Sequence, residues 1–419
     1  MITRRSLSRR ELAAGLAGLF ASACDTPRRA PGEVAFWFSY GGNNRKVLLE
    51  LVARFNREQS AVRVLPTFQG DYFEGLVKLR TGLFVAAVPT VTHVVGEVLP
   101  YLAEAGVLEP LDEIGDDVVA DLEPSLSQRG TFDGAAPHPL WALPFNRSTP
   151  IAFFNRPLFD SLGLSPPRTW AELRDVADRA RVEGDRARWG FECPVDWWFW
   201  TALVGQAGGG LVERGALTLG GEAGVRALEL WQRMVHEDRT MRPPPGRDFN
   251  AWEASNGDFL AGRAAMIWTS TAFVRYLEDN ASFAVGAAPL PGDVRRAVPT
   301  GGTFFVMPRG LPPAEREAGR AFLRWMMAPA QASEWARRTG YMPVTTRARG
   351  ELEASGFFRE HPNFRVAVDQ LEVAQRWPWS ASLFRTQREA VQPRLEAAVA
   401  RKEDARAVLA AARAASEAP

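Results

Sequence analysis

Two cysteines, four histidines and a formal net charge of +1 are all that 419 residues supply of those features, and each shortage removes a class of explanation. Cys24 and Cys193 are too few for a disulfide framework. His93, His138, His236 and His361 are scattered, with neither the H-E-x-x-H pattern of a zinc peptidase nor the spacing of a metal cluster. No G-x-S-x-G occurs, and Gly208-Gly209-Gly210 is not followed by the Gly-Lys-Ser/Thr of a phosphate loop. An exported hydrolase is therefore disfavoured, and no catalytic residue, metal or cofactor is expected. The near-zero net charge offers nothing to a nucleic-acid backbone, and no Lys/Arg run in the body of the chain suits a membrane surface.

Apolar length is also scarce, and it sits at the N-terminus. Arg4, Arg5, Arg9 and Arg10 precede an apolar stretch at residues 12–23 that is short for a bilayer span. Ser8-Arg9-Arg10-Glu11-Leu12 is similar to a twin-arginine export signal. Ala21-Ser22-Ala23-Cys24 is similar to a lipoprotein cleavage box, with Ala where Leu is usual. Residues 1–32 are thus read as export signal, lipidation site at Cys24 and a flexible Pro/Arg-rich linker over residues 25–32. If Cys24 is not lipidated, it belongs to a discarded signal peptide. The mature chain is expected in the periplasm or another extracytoplasmic space, held to the membrane by a lipid anchor.

What is present begins with length. At 419 residues, with 46% hydrophobic and 24% charged, the chain exceeds one ordinary core and divides naturally into two lobes. Residues 34–40 read as a buried strand ended by Gly41-Gly42, and Val47, Leu48, Leu51, Val52 and Phe55 recur at helical spacing. Residues 62–68 and 90–95 are the next strands, with a helix over residues 72–81 between them. That β-α-β-α-β order predicts a mostly parallel sheet covered by helices, with ligands at the carboxyl ends of its strands. Tyr72 and Glu97 follow the second and third strands, placed to face one cleft.

Leu143-Pro144-Phe145-Asn146-Arg147-Ser148-Thr149-Pro150 joins a Pro-bracketed polar turn to the aromatic run that follows. It reads either as a surface turn or as a strand leaving one lobe and entering the other, which brings Ser148 and Thr149 to the seam. Thr169 is placed to cap a helix opening at Trp170. Trp197, Trp198, Phe199 and Trp200 suit either a locally aromatic core or stacking on the apolar C–H faces of a sugar or polyol. Further on, Thr269, Ser270 and Thr271 follow a buried strand. Gly301-Gly302 opens another, as a tight turn or as a close backbone approach to a ligand. Amphipathic helices cover residues 314–327 and 331–339, Tyr341 lies in the loop after Gly340, and residues 395–414 form a last helix without chemistry.

Phe36-Trp37, Gly106-Val107-Leu108-Glu109-Pro110-Leu111-Asp112, Thr169-Trp170, Phe259-Leu260-Ala261-Gly262-Arg263-Ala264-Ala265-Met266 and Thr339-Gly340-Tyr341-Met342-Pro343 together resemble the extracellular solute-binding proteins of carbohydrate ABC importers. Gly70-Asp71-Tyr72, Arg80-Thr81-Gly82, residues 143–150, Trp197 with Trp200, and Gly301-Gly302 resemble the branch that takes sn-glycerol-3-phosphate. The resemblance implies an α/β fold of the two-lobe, hinge-linked periplasmic-binding type (class II), each lobe a mixed, mostly parallel sheet flanked by helices. It implies lobe 1 as residues 33–146 plus 269–304 and lobe 2 as residues 147–268 plus 305–419. The implied pocket is Tyr72, Glu97, Ser148, Trp197, Trp200, Ser270, Gly302, Tyr341 and Arg388, with Arg385 as the alternative to Arg388. The implied partners are glycerol-3-phosphate or a glycerophosphodiester, or else a neutral oligosaccharide, together with ABC permease subunits and their cytoplasmic ATPase. The protein is expected to be a monomer.

Overall fold

The β-branched and aromatic runs lying between turn residues make two five-stranded sheets in the computed structural model, which describes residues 29–134, 138–184, 187–213 and 216–417. The export signal and Cys24 lie outside the described residues. In chain order the sheet strands are β1 (Glu33–Phe38), β2 (Arg63–Phe68), β3 (Val91–Val95), β4 (Leu143–Ser148), β5 (Pro150–Asn155), β6 (Trp189–Glu192), β7 (Met241–Arg242), β8 (Ala264–Ser270), β9 (Val285–Ala288) and β10 (Gly301–Val306). The first sheet runs β2-β1-β3-β10-β4 and the second β7-β6-β8-β5-β9. This is the expected two-lobe α/β architecture. The sheets are evenly mixed rather than mostly parallel. The β-α-β-α-β opening gives the parallel pairs β1–β2 and β1–β3 as expected, but β10 and β4 join them antiparallel. The second sheet repeats this, with β6 parallel to β7 and β8, and β5 antiparallel to β8 and β9.

The stretch at residues 143–150 is a crossing and not a surface turn. β4 ends at Ser148 in the first sheet, β5 begins at Pro150 in the second, and Thr149 alone lies between. Asn146, Arg147, Ser148 and Thr149 are all buried, and buried backbone must find partners. Thr149 N–H donates to Thr271 Oγ1 at 3.2 Å, and its carbonyl accepts from Thr271 N–H at 3.0 Å. Its hydroxyl accepts from Gln370 Nε2 at 2.9 Å.

The later segments divide differently from the expected lobes. Residues 269–304 were assigned to lobe 1, yet the chain only touches the crossing at Thr271 and then returns to the second sheet as β9, which finds a free edge beside β5. The step to the first sheet comes between Ala288 and Gly301. Residues 305–419 were assigned to lobe 2, yet the helices Pro313–Met327 and Pro329–Thr339 cover the first sheet. Phe322 packs on Phe36 at 5.4 Å and Glu334 pairs with Arg54 at 2.7 Å. The helix Gly42–Glu58 shares that face, with Phe55 against Phe322 at 5.4 Å, and its Val47, Leu48, Leu51, Val52 and Phe55 are buried as their spacing requires. Each such side chain contributes roughly 1.5–3 kcal/mol.

Thr169 caps its helix by accepting from Glu172 N–H, as expected. Residues 395–414, read as one helix, are parts of two, Gln392–Arg401 and Ala405–Glu417. Lys402 takes φ 55° between them, and Asp404 Oδ1 accepts from Ala407 N–H at 2.7 Å. At the other end, Arg29 of the expected flexible linker is docked on the Glu315 carboxylate and the Val88 carbonyl.

Gly302 is the glycine the crossing most needs. It takes φ +88°, and an added Cβ would lie 1.5 Å from the Asn146 carbonyl oxygen. Gly302→Ala is expected to lose at least about 1–3 kcal/mol in chemical denaturation. Gly163→Ala, at φ +61° with nothing within 4 Å, serves as control and should lose only about 1 kcal/mol. Equal losses at both positions would remove the crossing as the cause.

Candidate functional site

Tyr72 opens the helix Tyr72–Phe84, whose start is fixed by a capping box between Asp71 and Glu74. The cap holds Tyr72 before the crossing, with its hydroxyl 3.0 Å from that of Tyr341 and its ring edge-on to His93 at 5.7 Å. Tyr341 stacks on Trp335, Trp335 on Phe145, and Phe145 on Phe305, so a column of rings ties the tyrosine pair to β4 and β10. Burial raises both phenols above their usual range. Tyr40 joins them; its hydroxyl and the Asn146 side chain are buried close to one another and to Tyr72, without a well-formed hydrogen bond. His93 Nε2 accepts from Ser39 N–H at 3.0 Å, which places its proton on Nδ1, and burial lowers its pKa to about 3.

The charged floor comes next. Glu97 sits on the single turn Gly96–Val98 after β3 and is 5% exposed. Burial pushes its carboxyl up to about 7; the Arg147 charge opposes that shift and Asp196 adds to it. Arg147 is 1% exposed, with its guanidinium 4.2 Å above the Phe304 ring and Nη2 donating to Thr300 Oγ1 at 2.9 Å and Thr131 Oγ1 at 3.4 Å. Burial lowers its pKa to about 10, which leaves it a cation at neutral pH. Neither Arg147 nor Asp196 is among the residues the sequence singles out. The available signal was a basic residue inside a run otherwise fit for a buried strand.

Ser148 and Ser270 end β4 and β8, both buried at the crossing. Gly302 lies opposite Arg147 on β10. Trp197, half-buried, opens the helix Trp197–Gln206 and meets Trp377 edge-on at 5.5 Å. Trp200 is turned away from this group. It is 1% exposed and its Nε1 donates to the Gly224 carbonyl at 3.3 Å, within the second lobe's core. Three residues along a helix rotate a side chain by about 60° from the first, and the helix Gly221–His236 covers that edge. Trp198 takes the inward place instead. Its Nε1 donates to the Thr300 carbonyl at 3.4 Å, its ring stacks on Trp252 at 5.3 Å, and a Cβ on Gly301 would lie 2.6 Å from it.

Arg388 lies on the wide turn Thr386–Val391 of the second lobe, its guanidinium 3.9 Å from the centre of the Phe73 ring in the first. Phe384 stacks on the same ring at 6.0 Å. Arg385 is exposed. The structure thus gathers eight of the nine expected residues around the crossing and the facing edges of the lobes, and sends Trp200 into a core. A cavity of about 310 Å³ bordered by Gly205, Gly209, Arg295, Gln375 and Trp377 adjoins Trp197 through Trp377 but is lined by none of the nine. Among the described residues no group of side chains has the makings of a metal site, and no helix is long and apolar enough to cross a membrane.

Two measurements check this layout. An acid whose folded pKa lies above its unfolded one takes up protons on folding. The Glu97 contribution is therefore full below its ordinary 4.5 and is lost as pH rises through about 7. Wild-type stability minus that of Glu97→Gln should decline across that window in thermal melts; a difference flat with pH would contradict the buried carboxyl. Trp200→Ala should cost about 3–5 kcal/mol of stability, as expected for emptying a core site, whereas a loss under about 1 kcal/mol would place the indole in the cleft.

The model of the bacterial extracellular solute-binding protein family matches residues 50–365. The sn-glycerol-3-phosphate-binding periplasmic protein UgpB of Pectobacterium atrosepticum is 25% identical over 365 residues, covering 82% of this chain and 80% of its own. UgpB of Escherichia coli O1:K1 / APEC is 26% identical over 399 residues, covering 89% and 86%. Among solved structures, UgpB from Mycobacterium tuberculosis in complex with glycerophosphocholine superposes with a TM-score of 0.81 at 23% identity, covering 93% of this chain and 98% of its own. The GacH receptor of Streptomyces glaucescens, solved unliganded and with acarbose, superposes with a TM-score of 0.80 at 20% identity, covering 92% and 98%. With a family match over most of its length and the two-lobe fold around a hinged cleft, the chain belongs to the bacterial extracellular solute-binding proteins, the ligand-capturing components of ABC importers.

Proposed function

We propose that the protein captures sn-glycerol-3-phosphate or a glycerophosphodiester between its lobes and delivers it to the membrane permease of an ABC importer. The observation that most supports this is the placing of Arg388, a second-lobe guanidinium over Phe73, the neighbour of Tyr72 in the first lobe. A guanidinium forks onto phosphate oxygens, and tyrosine hydroxyls add donors beside it. Glu97 accepts from ligand hydroxyls, Ser148, Ser270 and the Gly302 backbone line the crossing, and Trp197 covers the carbon chain. Trp200 supports that wall from behind without touching the ligand. The UgpB relatives, named for sn-glycerol-3-phosphate, favour the same assignment. In this reading the lobes close by a hinge at Thr149, and the protein acts as a monomer that performs no reaction. It is exported through a twin-arginine signal, works in the periplasm or its equivalent, and is lipid-anchored at Cys24.

A neutral oligosaccharide is the second reading, favoured by the indoles of Trp197, Trp198, Trp252 and Trp377 around the cleft. Calorimetric titration with glycerol-3-phosphate, glycerophosphocholine, glycerol and maltose separates the two. A charge-assisted hydrogen bond contributes roughly 1.5–3 kcal/mol, so Arg388→Ala should weaken binding of the phosphate compounds at least about tenfold. Free glycerol should bind poorly, and Arg385→Ala should have little effect. Tight maltose binding without response to either phosphate compound would promote the sugar reading.

A further inference from the structure

Arg147 is a buried charge at the crossing that the proposed assignment leaves unused. Arg147 offers Nε and Nη1 to no acceptor, although it is 1% exposed. Its remaining nitrogen is occupied by Thr300 and Thr131. Glu97 is near enough for each group to bias the other's charge, yet no hydrogen bond joins them, since the free nitrogens of Arg147 are unpaired. Gly96 keeps the face of Nη1 open; a Cβ there would stand 3.3 Å from that nitrogen. A cation placed only to neutralise Glu97 would close onto it, because a charge-assisted bond left unmade in a dry site is costly.

A fixed pair of donors facing a fixed acceptor complements a group that accepts and donates at once, which is what a hydroxyl does. Two hydroxyls on adjacent carbons match the two free nitrogens of the guanidinium and the two oxygens of the carboxylate.

We infer that Arg147 is a specificity-determining residue which, with Glu97, reads a vicinal diol of the ligand. The inference rests on the proposed assignment of the cleft to a glycerol phosphoester, and it adds that the free diol is required. Discrimination of this kind is strong, because an analogue lacking the hydroxyls leaves buried polar groups unpaired.

The test is calorimetric titration of wild type, Arg147→Met and Arg147→Lys with glycerol-3-phosphate and with n-propyl phosphate, which keeps the phosphate and lacks both hydroxyls. Thermal melts establish that each variant is folded. Wild type should prefer glycerol-3-phosphate by at least about tenfold. Arg147→Met should bring the two within about threefold of each other by lowering affinity for the diol compound alone, and Arg147→Lys should fall between. A wild type without preference for the diol, or an undiminished preference in a folded Arg147→Met, overturns the inference while leaving the phosphate site standing. Should Arg147→Met not fold, the wild-type ratio and the Arg147→Lys ratio decide by the same criterion. Wild type that binds neither compound removes the assignment of the cleft, and the inference with it.

Discussion

Thr149 is the residue through which the two sheets are held together, and its hydrogen bonds decide how they relate. Its N–H and carbonyl are both taken by Thr271, and its hydroxyl by Gln370, so three chain segments meet at one buried position. Gln370 extends the knot, donating to the Pro150 carbonyl at 2.6 Å and accepting from Leu290 N–H at 2.9 Å. Met342 N–H adds a further segment by donating to the Arg147 carbonyl at 3.0 Å. A buried backbone group left unpaired is costly, so none of these segments can leave without breaking the others' bonds. What remains free is rotation about a few backbone angles, which is the requirement for a hinge.

That knot sits directly beside a cluster of polar groups that the fold alone does not satisfy. Two nitrogens of Arg147 are buried without partners, and the Tyr40 hydroxyl and the Asn146 side chain meet only loosely. Such groups are destabilising by about 1–3 kcal/mol each, and a protein selected only for stability would replace them with apolar side chains. At the junction of the lobes they stand beside Glu97, whose carboxyl burial pushes up to about 7, and perturbed groups of this kind are common at functional sites. The apolar ring column from Tyr341 to Phe305 carries the opposite role, because it holds the tyrosine pair rigid whether or not anything is bound.

How much of this was legible depended on whether a side chain's role is decided locally. The helix at Gly42–Glu58 and the cap at Thr169 follow from spacing and residue type within one turn, and both appear as read. The crossing at Thr149 was one of two readings, and the choice depended on Thr271 and Gln370, partners more than a hundred residues away. The lobe division went astray for the same reason: whether β9 joins one sheet or the other is settled by the free edge of β5, which no local pattern reports. Trp200 illustrates a finer limit. The resemblance put it in the pocket with Trp197, and the helix Gly221–His236 packed over that edge sends it into the core, while Trp198 turns to Gly301. Lys402 was invisible because a lysine in the left-handed region carries no composition signal, although Asp404 two residues later is an ordinary cap.

A fold that superposes on receptors solved with glycerophosphocholine and with acarbose cannot itself choose the ligand. The choice must lie in side chains that the hinge geometry brings together but does not depend on. Gly302 is excluded from that set, because any Cβ there collides with the Asn146 carbonyl; the crossing demands it whatever is bound. Arg147 belongs to the set. Its backbone pairs with Gly302 as any residue's would, while its side chain reaches past Gly96 to the floor beside Glu97. Exchanging that side chain alters the charge and donor pattern of the cleft while leaving its backbone hydrogen bonds intact. A single position on β4 therefore separates two roles that share one strand, with the main chain setting the hinge and the side chain setting what the hinge closes upon.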